Sequence, residues 1–299
     1  MRFFKILFVS LIMVMIILPP LYGQMKKRVA VFTFDDKTDQ SYHWWDGRNP
    51  GDGMADMLTT ALVKSGKYTV IERQQIAQLL SEQQLGQAGI VTQQSAAKIG
   101  QMLGVDLAVI GAVTEFGNSK KDMGIKIKGF GFGTANQKAT VAVDVRLVNT
   151  STGEIITADN VRKEDSSSGI RVSTPDGRFD NANQFDNSIV GKATRAAIED
   201  IVQIIDSKSS DLPWEGKVLK VDGSTVYIKP GKDGGVKIGD TFVIYHAGEA
   251  LIDPDTGISL GSEEKKIGSI EVISVMDQAS KATVRMGSGF SVGDFVRIK

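Results

Sequence analysis

The sequence predicts an α+β chain, a central sheet flanked by helices in a larger N-terminal unit, followed by a small all-β barrel-like domain. Three observations lead there. In Val105–Phe116, Val105, Leu107, Ala108, Val109, Ile110, Ala112 and Val113 put apolar groups on both alternating faces, as a strand covered on both sides requires. Between Arg28 and Leu103, strand-like and helix-like periods alternate, the pattern of crossover connections. From Trp214 to Lys299 the chain is Gly-rich, strand-rich and broken at short intervals.

Each element has its own signal. Arg28–Phe34 alternates as a strand and ends in the acidic turn Asp35-Asp36. A loop from Lys37 to Gly53 follows, with Tyr42, His43, Trp44, Trp45, Arg48, Asn49 and Pro50. Aromatics on a loop suggest a contact surface; the alternative is that Trp44 and Trp45 cap the open end of the core. Asp52 is the expected cap of a helix with Met54, Leu58, Ala61 and Leu62 on one face, closed by Gly66. Tyr68–Ile71 reads as a strand. Glu72-Arg73 opens a helix with the stripe Ile76, Leu79, Leu80. Thr92 or Ser95 starts a third helix through Ala96, Ile99 and Leu103, closed by Gly104.

Beyond Phe116 the pattern is irregular. Ala139, Val141, Val143, Val145 and Leu147 then alternate with polar neighbours, Asn149–Gly153 makes a turn, and Glu154–Ala158 resumes as a strand. A polar loop follows Pro175. Ser188 caps a long helix with Ile189, Ala193, Ala196, Ala197, Ile201, Ile204 and Ile205 at helical spacing, expected to cover the sheet. Ser207–Pro213 has linker composition. The C-terminal domain contains an echo: Gly235–Asp240 before Phe242-Val243-Ile244, and Gly289–Asp294 before Phe295–Ile298, each ending in a Gly-Asp pair suited to a tight turn. The expected division is residues 1–23, 24–206, 207–213 and 214–299.

Residues 1–23 read as a secretory signal peptide. Arg2 and Lys5 precede the apolar run Ile6–Leu18, and Pro19-Pro20 stop it, with cleavage expected after Gly23. An uncleaved anchor stays open, because Phe3 and Phe4 lengthen a run otherwise short of the ~18 residues of a spanning helix. The chain has no Cys, so neither disulfides nor lipidation at an N-terminal Cys is expected. In a two-membrane bacterium the mature chain would be periplasmic, possible outer-membrane association included.

Its 299 residues, 41% hydrophobic and 23% charged, suit a globular protein of two domains. Lys+Arg and Asp+Glu number 35 each, so no net field draws it to nucleic acid. Raw material for catalysis is scarce. Only His43 and His246 exist, and neither sits in a ligand-spaced cluster. Gly129–Gly133 lacks the Gly-Lys-Ser/Thr of a phosphate loop and a strand-to-helix setting. Asp253–Gly257 opens like a calcium loop, but Gly257 stands at the third ligand position, and a plain Asp/Gly turn is the commoner meaning. Asp35, Asp36 and Asp39 could hold a cation, although a solvated acidic turn is the commoner meaning. No enzymatic activity, metal or cofactor is expected.

Four stretches, R-V-A-V-F-T-F-D-D-K-T from Arg28, Met57–Gln74, Leu103–Phe116 and Val143–Ile155, resemble the CsgG family of curli production assembly/transport components, in the same order. The C-terminal segment resembles the small β-domain that ends flagellar assembly protein FlgT. The CsgG resemblance implies a non-enzymatic, homo-oligomeric part of a secretion or surface-appendage assembly apparatus, with envelope or secreted-subunit proteins as partners. It implies a constriction loop at Ser41–Gly53, with Tyr42, Trp44, Trp45 and Asn49 towards the lumen. It also implies two membrane-inserting hairpins, near Ile125–Leu147 and Ile155–Phe185. Lys138–Leu147 has the dyad pattern and ~9 to 11 residue length of a membrane strand, with Met123, Ile125 and Ile127 as its expected partners. The second hairpin is too charged, since Arg162 and Glu164 point one way and Lys163 and Asp165 the other. A soluble periplasmic binding or scaffold protein that forms no pore is therefore the alternative.

Overall fold

The computed structural model describes residues 25–38, 48–82, 91–127, 130–168, 181–252, 254 and 259–298. The expected signal peptide and the loop tip with Tyr42, Trp44 and Trp45 lie outside them. A six-stranded sheet has the order β3-β1-β4-β5-β6, built from β1 (Lys27–Val31), β3 (Tyr68–Val70), β4 (Leu107–Ile127), β5 (Phe130–Asn149) and β6 (Ile155–Ser168). The short β2 (Asp35–Asp36) continues along β4 where β1 leaves it. β1 is parallel to both β3 and β4, and helices α1 (Pro50–Ser65), α2 (Arg73–Glu82) and α3 (Gln93–Leu103) form the crossovers. β4 is the middle strand and is covered on both faces. Leu107, Val109 and Val113 pack with α1 and α5 (Ile189–Ser210), while Ala108 and Ile110 pack with α2 and α3.

The caps follow local chemistry. α1 begins earlier than expected: Asn49, followed by Pro50, is the cap, and Asp52 lies in the first turn, where its charge suits the helix dipole. Thr92 and Ser95 form a reciprocal capping box on α3, and the Ser188 Oγ accepts from the Gly191 N–H at 2.9 Å to start α5.

Three expectations are corrected. First, the stretch after Phe116 is not irregular: β4 and β5 form one continuous antiparallel ladder, from Leu107↔Asn149 to Ile127↔Phe130. Met123, Ile125 and Ile127 therefore pair with Thr134, Phe132 and Phe130, and not with Lys138–Leu147. The alternation of Ala139, Val141, Val143, Val145 and Leu147 is spent inside the unit, under α5, because a helix with a matching apolar stripe is available to cover it. Second, the polar stretch after Pro175 ends in a short helix, α4 (Ala182–Asn187), whose Phe185 is fully buried and stacked on Phe116 at 6.5 Å between ring centroids. Phe185, the end of the second expected membrane hairpin, is thus a core residue of the αβ unit. Third, α5 runs into the stretch of linker composition as far as Ser210. The Lys27 ammonium caps that end, donating to the carbonyls of Ser209 (2.8 Å) and Leu212 (2.6 Å). Ser209 lies in the last turn of α5 and Leu212 just beyond its cap, so the cation sits at the negative end of the helix.

The remaining strands, β7 (Glu215–Asp222), β8 (Thr225–Lys229), β9 (Thr241–Ile252), β10 (Ser259–Val275), β11 (Ser280–Gly287) and β12 (Phe295–Ile298), close a barrel in the order β10-β11-β8-β7-β12-β9. Val218, Val226, Ile228, Ile244, Ile270 and Val296 fill it, and Trp214 stacks on Phe242 at 5.3 Å. The sequence echo is a repeated turn. Asp240 Oδ2 accepts from the Lys237 N–H and Asp294 Oδ2 from the Ser291 N–H, both at 2.7 Å. Gly239 and Gly293 take φ of 91° and 92°, a backbone state that an L side chain strains to adopt.

Candidate functional site

The predicted loop is rooted just beyond the C-terminal end of β1, beside Ala112 and Val113 of β4. Phe32 and Phe34 anchor the incoming chain in the two apolar layers. Asp35 and Asp36 pair with Ala112 and Val113, and the Lys37 N–H donates to the Val113 carbonyl at 2.9 Å. Asp36 Oδ1 then accepts from the Thr38 N–H at 3.0 Å and the Thr38 hydroxyl at 2.7 Å, closing a tight turn. Burial pushes the Asp35 carboxyl above its ordinary pKa, with Lys37 opposing.

The outgoing root is equally constrained. Arg48 pairs with Asp56 at 2.5 Å. Asn49 Oδ1 accepts from the Asp52 N–H at 2.8 Å, and its Nδ2 donates to Asp52 Oδ2 at 3.1 Å. A Cβ on Gly51 would overlap the Phe34 carbonyl oxygen, so glycine allows the first turn of α1 to lie directly on the end of β1. Both ends of the loop are thus held by backbone pairing and capping, while its span stays outside the described residues together with Tyr42, Trp44 and Trp45. Of the four named loop residues, only Asn49 is described. Its exposed amide is engaged in the cap.

Two further features are only partly legible, or not legible, in the sequence. One is the far end of the β4–β5 hairpin, expected near Ile125–Leu147 but with another register. Among the described residues β5 pairs with β6 as far as Asn136↔Ser168, and the β4–β5 ladder continues from Lys121↔Asn136 to Ile127↔Phe130. Met123, Ile125, Ile127, Phe130 and Phe132 alternate around Lys128-Gly129, which is the signal that could have revealed it. The other is a cleft between the αβ unit and the barrel, whose residues come from distant segments and leave no local pattern.

Charge on β6 is distributed over both faces. Arg162 pairs with Glu115 and Glu164, and Lys138 with Glu164 at 2.7 Å, while Lys163 reaches Asp200 of α5 at 2.6 Å. Among the described residues no three His, Asp or Glu side chains are grouped to hold a metal ion, and no helix is long and apolar enough to cross a membrane.

A family model described as "Curli production assembly/transport component CsgG" matches residues 15–226, more than two thirds of the chain. The chain belongs to the CsgG family. The family match takes in the whole sheet, α1 to α5 and the loop, and stops within β8, so it gives the expected FlgT-like character of the barrel no support. CsgG proteins of Salmonella typhimurium and Escherichia coli are each 32% identical over 113 residues, 36% of this chain and 41% of the relative. This CsgG-family chain therefore spans about two fifths of the length of the curated relatives it matches. Among solved structures it is similar to the hypothetical protein CT253 of Chlamydia trachomatis (TM-score 0.42, 15% identity, 62% of this chain and 99% of that one).

Proposed function

We propose that this CsgG-family chain is a non-enzymatic component of a curli-type secretion or surface-appendage assembly apparatus in the bacterial envelope, exported by its N-terminal segment and acting as one subunit of a homo-oligomeric ring. In this reading the loop at 41–53 narrows the central passage or grips an extended secreted polypeptide through Tyr42, Trp44 and Trp45, and Asn49 sets where the loop rejoins the body. The observation that carries it is the double anchoring of an aromatic loop at one edge of a rigid sheet, within the region shared with the family. A passage narrowed by side chains needs such fixed roots.

The far end of the β4–β5 hairpin supports contact with the membrane. Its register sets Met123, Ile125 and Ile127 opposite Thr134, Phe132 and Phe130, and sets Asp122, Gly124 and Lys126 opposite Ala135, Gly133 and Gly131. One dyad of positions is apolar except for Thr134 and the other polar or small, the pattern of a membrane β-hairpin. The charges on both faces of β6 favour a second reading, a soluble scaffold of envelope assembly without a pore, since a lipid-facing Arg or Lys costs ~2 to 4 kcal/mol near the midplane.

Purification with and without detergent, followed by planar-bilayer recording, separates the two. The ring reading expects a multimer and discrete conductance that rises in Tyr42→Ala and Trp44→Ala. A monomer that stays in solution without detergent and gives no conductance overturns it.

A further inference from the structure

A cleft of about 700 Å³ opens where the αβ unit meets the barrel, and its charged residues fall into two clusters. On the barrel wall Arg297 is matched by Glu215 at 2.8 Å and Glu264 at 2.5 Å, and Lys217 lies 3.9 Å from Glu215. That cluster is balanced. On the αβ side stand Lys26, Lys27 and Arg28 with the carboxylate Asp106, and Lys229 of β8 reaches across from the barrel to join them.

Two of those groups are already committed: Lys27 is spent on the end of α5, and Asp106 Oδ2 accepts from the Arg28 N–H at 2.7 Å. Of the other three, Arg28 and Lys229 approach each other. Arg28 donates through Nη2 to the Leu103 carbonyl at 3.2 Å, but its Nε is buried with no acceptor among the described residues. The Lys229 ammonium makes no hydrogen bond or ion pair among the described residues. Its Nζ passes over Gly104, 2.7 Å from where a Cβ would stand, so the glycine that ends α3 also leaves room for the ammonium. Burial first, and the Arg28 guanidinium second, push the Lys229 ammonium below its ordinary pKa.

Two cationic groups crowded in a concave, partly desolvated site disfavour each other's charge. A guanidinium edge beside an ammonium is also the donor set that oxyanions use. We propose that this cleft is a binding site for a multiply charged oxyanion of the phosphate class, held by Lys229 Nζ beside the Arg28 guanidinium. The net positive charge of this cluster favours a dianion over a monocarboxylate, because the attraction scales with the product of charges. The ion can be free or the terminal group of a larger molecule; both present the same oxygens.

Isothermal titration of the full chain with sodium phosphate, at fixed ionic strength, tests this. One saturable site per chain is expected, with acetate at least tenfold weaker. Lys229→Met should weaken phosphate by about tenfold to a hundredfold, the effect of one hydrogen bond to a charged group. Asp106→Asn keeps an oxygen for the Arg28 N–H and removes the competing negative charge, so it should bind phosphate more tightly. Lys220→Met, at an exposed position on β7 outside the cleft, should leave affinity unchanged. Glycerol 3-phosphate binding more tightly than inorganic phosphate would identify a phosphomonoester as the ligand; the reverse order would identify the free ion. No saturable phosphate heat, equal binding of acetate, or wild-type affinity in folded Lys229→Met overturns the proposal. If Lys229→Met does not fold, Lys229→Gln, which retains the stem, and the opposite shift expected of Asp106→Asn still decide it.

Discussion

Replacing Tyr68 by Phe removes one oxygen from the place where β3 meets the end of α5. That hydroxyl lies 2.7 Å from Asp206 Oδ1 and 2.7 Å from Ser209 Oγ, with Tyr68 only 7% and Ser209 only 6% exposed. A neutral hydrogen bond is worth ~1 kcal/mol and one to a carboxylate ~1.5 to 3. The upper end does not apply, because Asp206 keeps Lys67 at 2.6 Å and Ser209 keeps the Asp206 carbonyl at 3.2 Å. A loss of about 2 kcal/mol at pH 7 is expected, on the scale of those hydrogen-bond values. The pH dependence gives a second, independent reading. Burial pushes the Tyr68 phenol well above its ordinary range, helped by Asp206 and opposed by the Ser209 bond. Below pH ~10 the phenol is protonated in the folded and unfolded chain alike, so its contribution is constant. Above that, the unfolded chain ionises first, and the contribution is lost as pH rises. Wild type should then converge on Tyr68→Phe by about 1.4 kcal/mol per pH unit. Urea denaturation of both proteins between pH 7 and pH 11 reads each quantity. A difference under about 0.5 kcal/mol at pH 7, well below the worth of one hydrogen bond, or curves that stay parallel above pH 10, would refute the reasoning.

Phe185→Ala empties a fully buried site stacked on Phe116, and should cost about 3 to 5 kcal/mol in chemical denaturation; a cost below 1 would mean that α4 is not packed on the sheet. Asn49→Ala removes the cap of α1 and should cost about 1 kcal/mol in a thermal melt, whereas Trp44→Ala and Trp45→Ala should change transport more than stability. Asp106 is raised by burial above its ordinary pKa, against the Arg28 N–H and the nearby cations. Its protonated form therefore favours the fold at acid pH, and that contribution is lost as pH rises through the raised value. Asp106→Asn should flatten this part of the stability profile, and an unchanged acid limb would sink the assignment.

How far the sequence could be read depended on whether a period reported packing or only possibility. Leu107, Val109 and Ala108, Ile110 identified a strand apolar on both faces, and both faces are covered. Ser188 and Thr92 marked helix starts because a side-chain oxygen must meet free N–H groups within three residues. The alternation of Val141, Val143 and Val145 was equally clear, but it could not say whether lipid or α5 would cover it. Asp52 has the side chain of a cap, but the helix starts one turn earlier, at Asn49, where Pro50 presets the backbone. For the loop, sequence supplied the aromatics, and the fold supplied the two roots.

What sequence alone determined is the class of each segment, since strand and helix periods, caps and Gly-Asp turns are read within a few residues. Which arms pair, that the hairpin continues past Phe116, and that Arg28, Asp106 and Lys229 share one cleft were decided only by the tertiary structure. Register and charge proximity join residues some tens to two hundred positions apart, and no local period encodes which partner arrives.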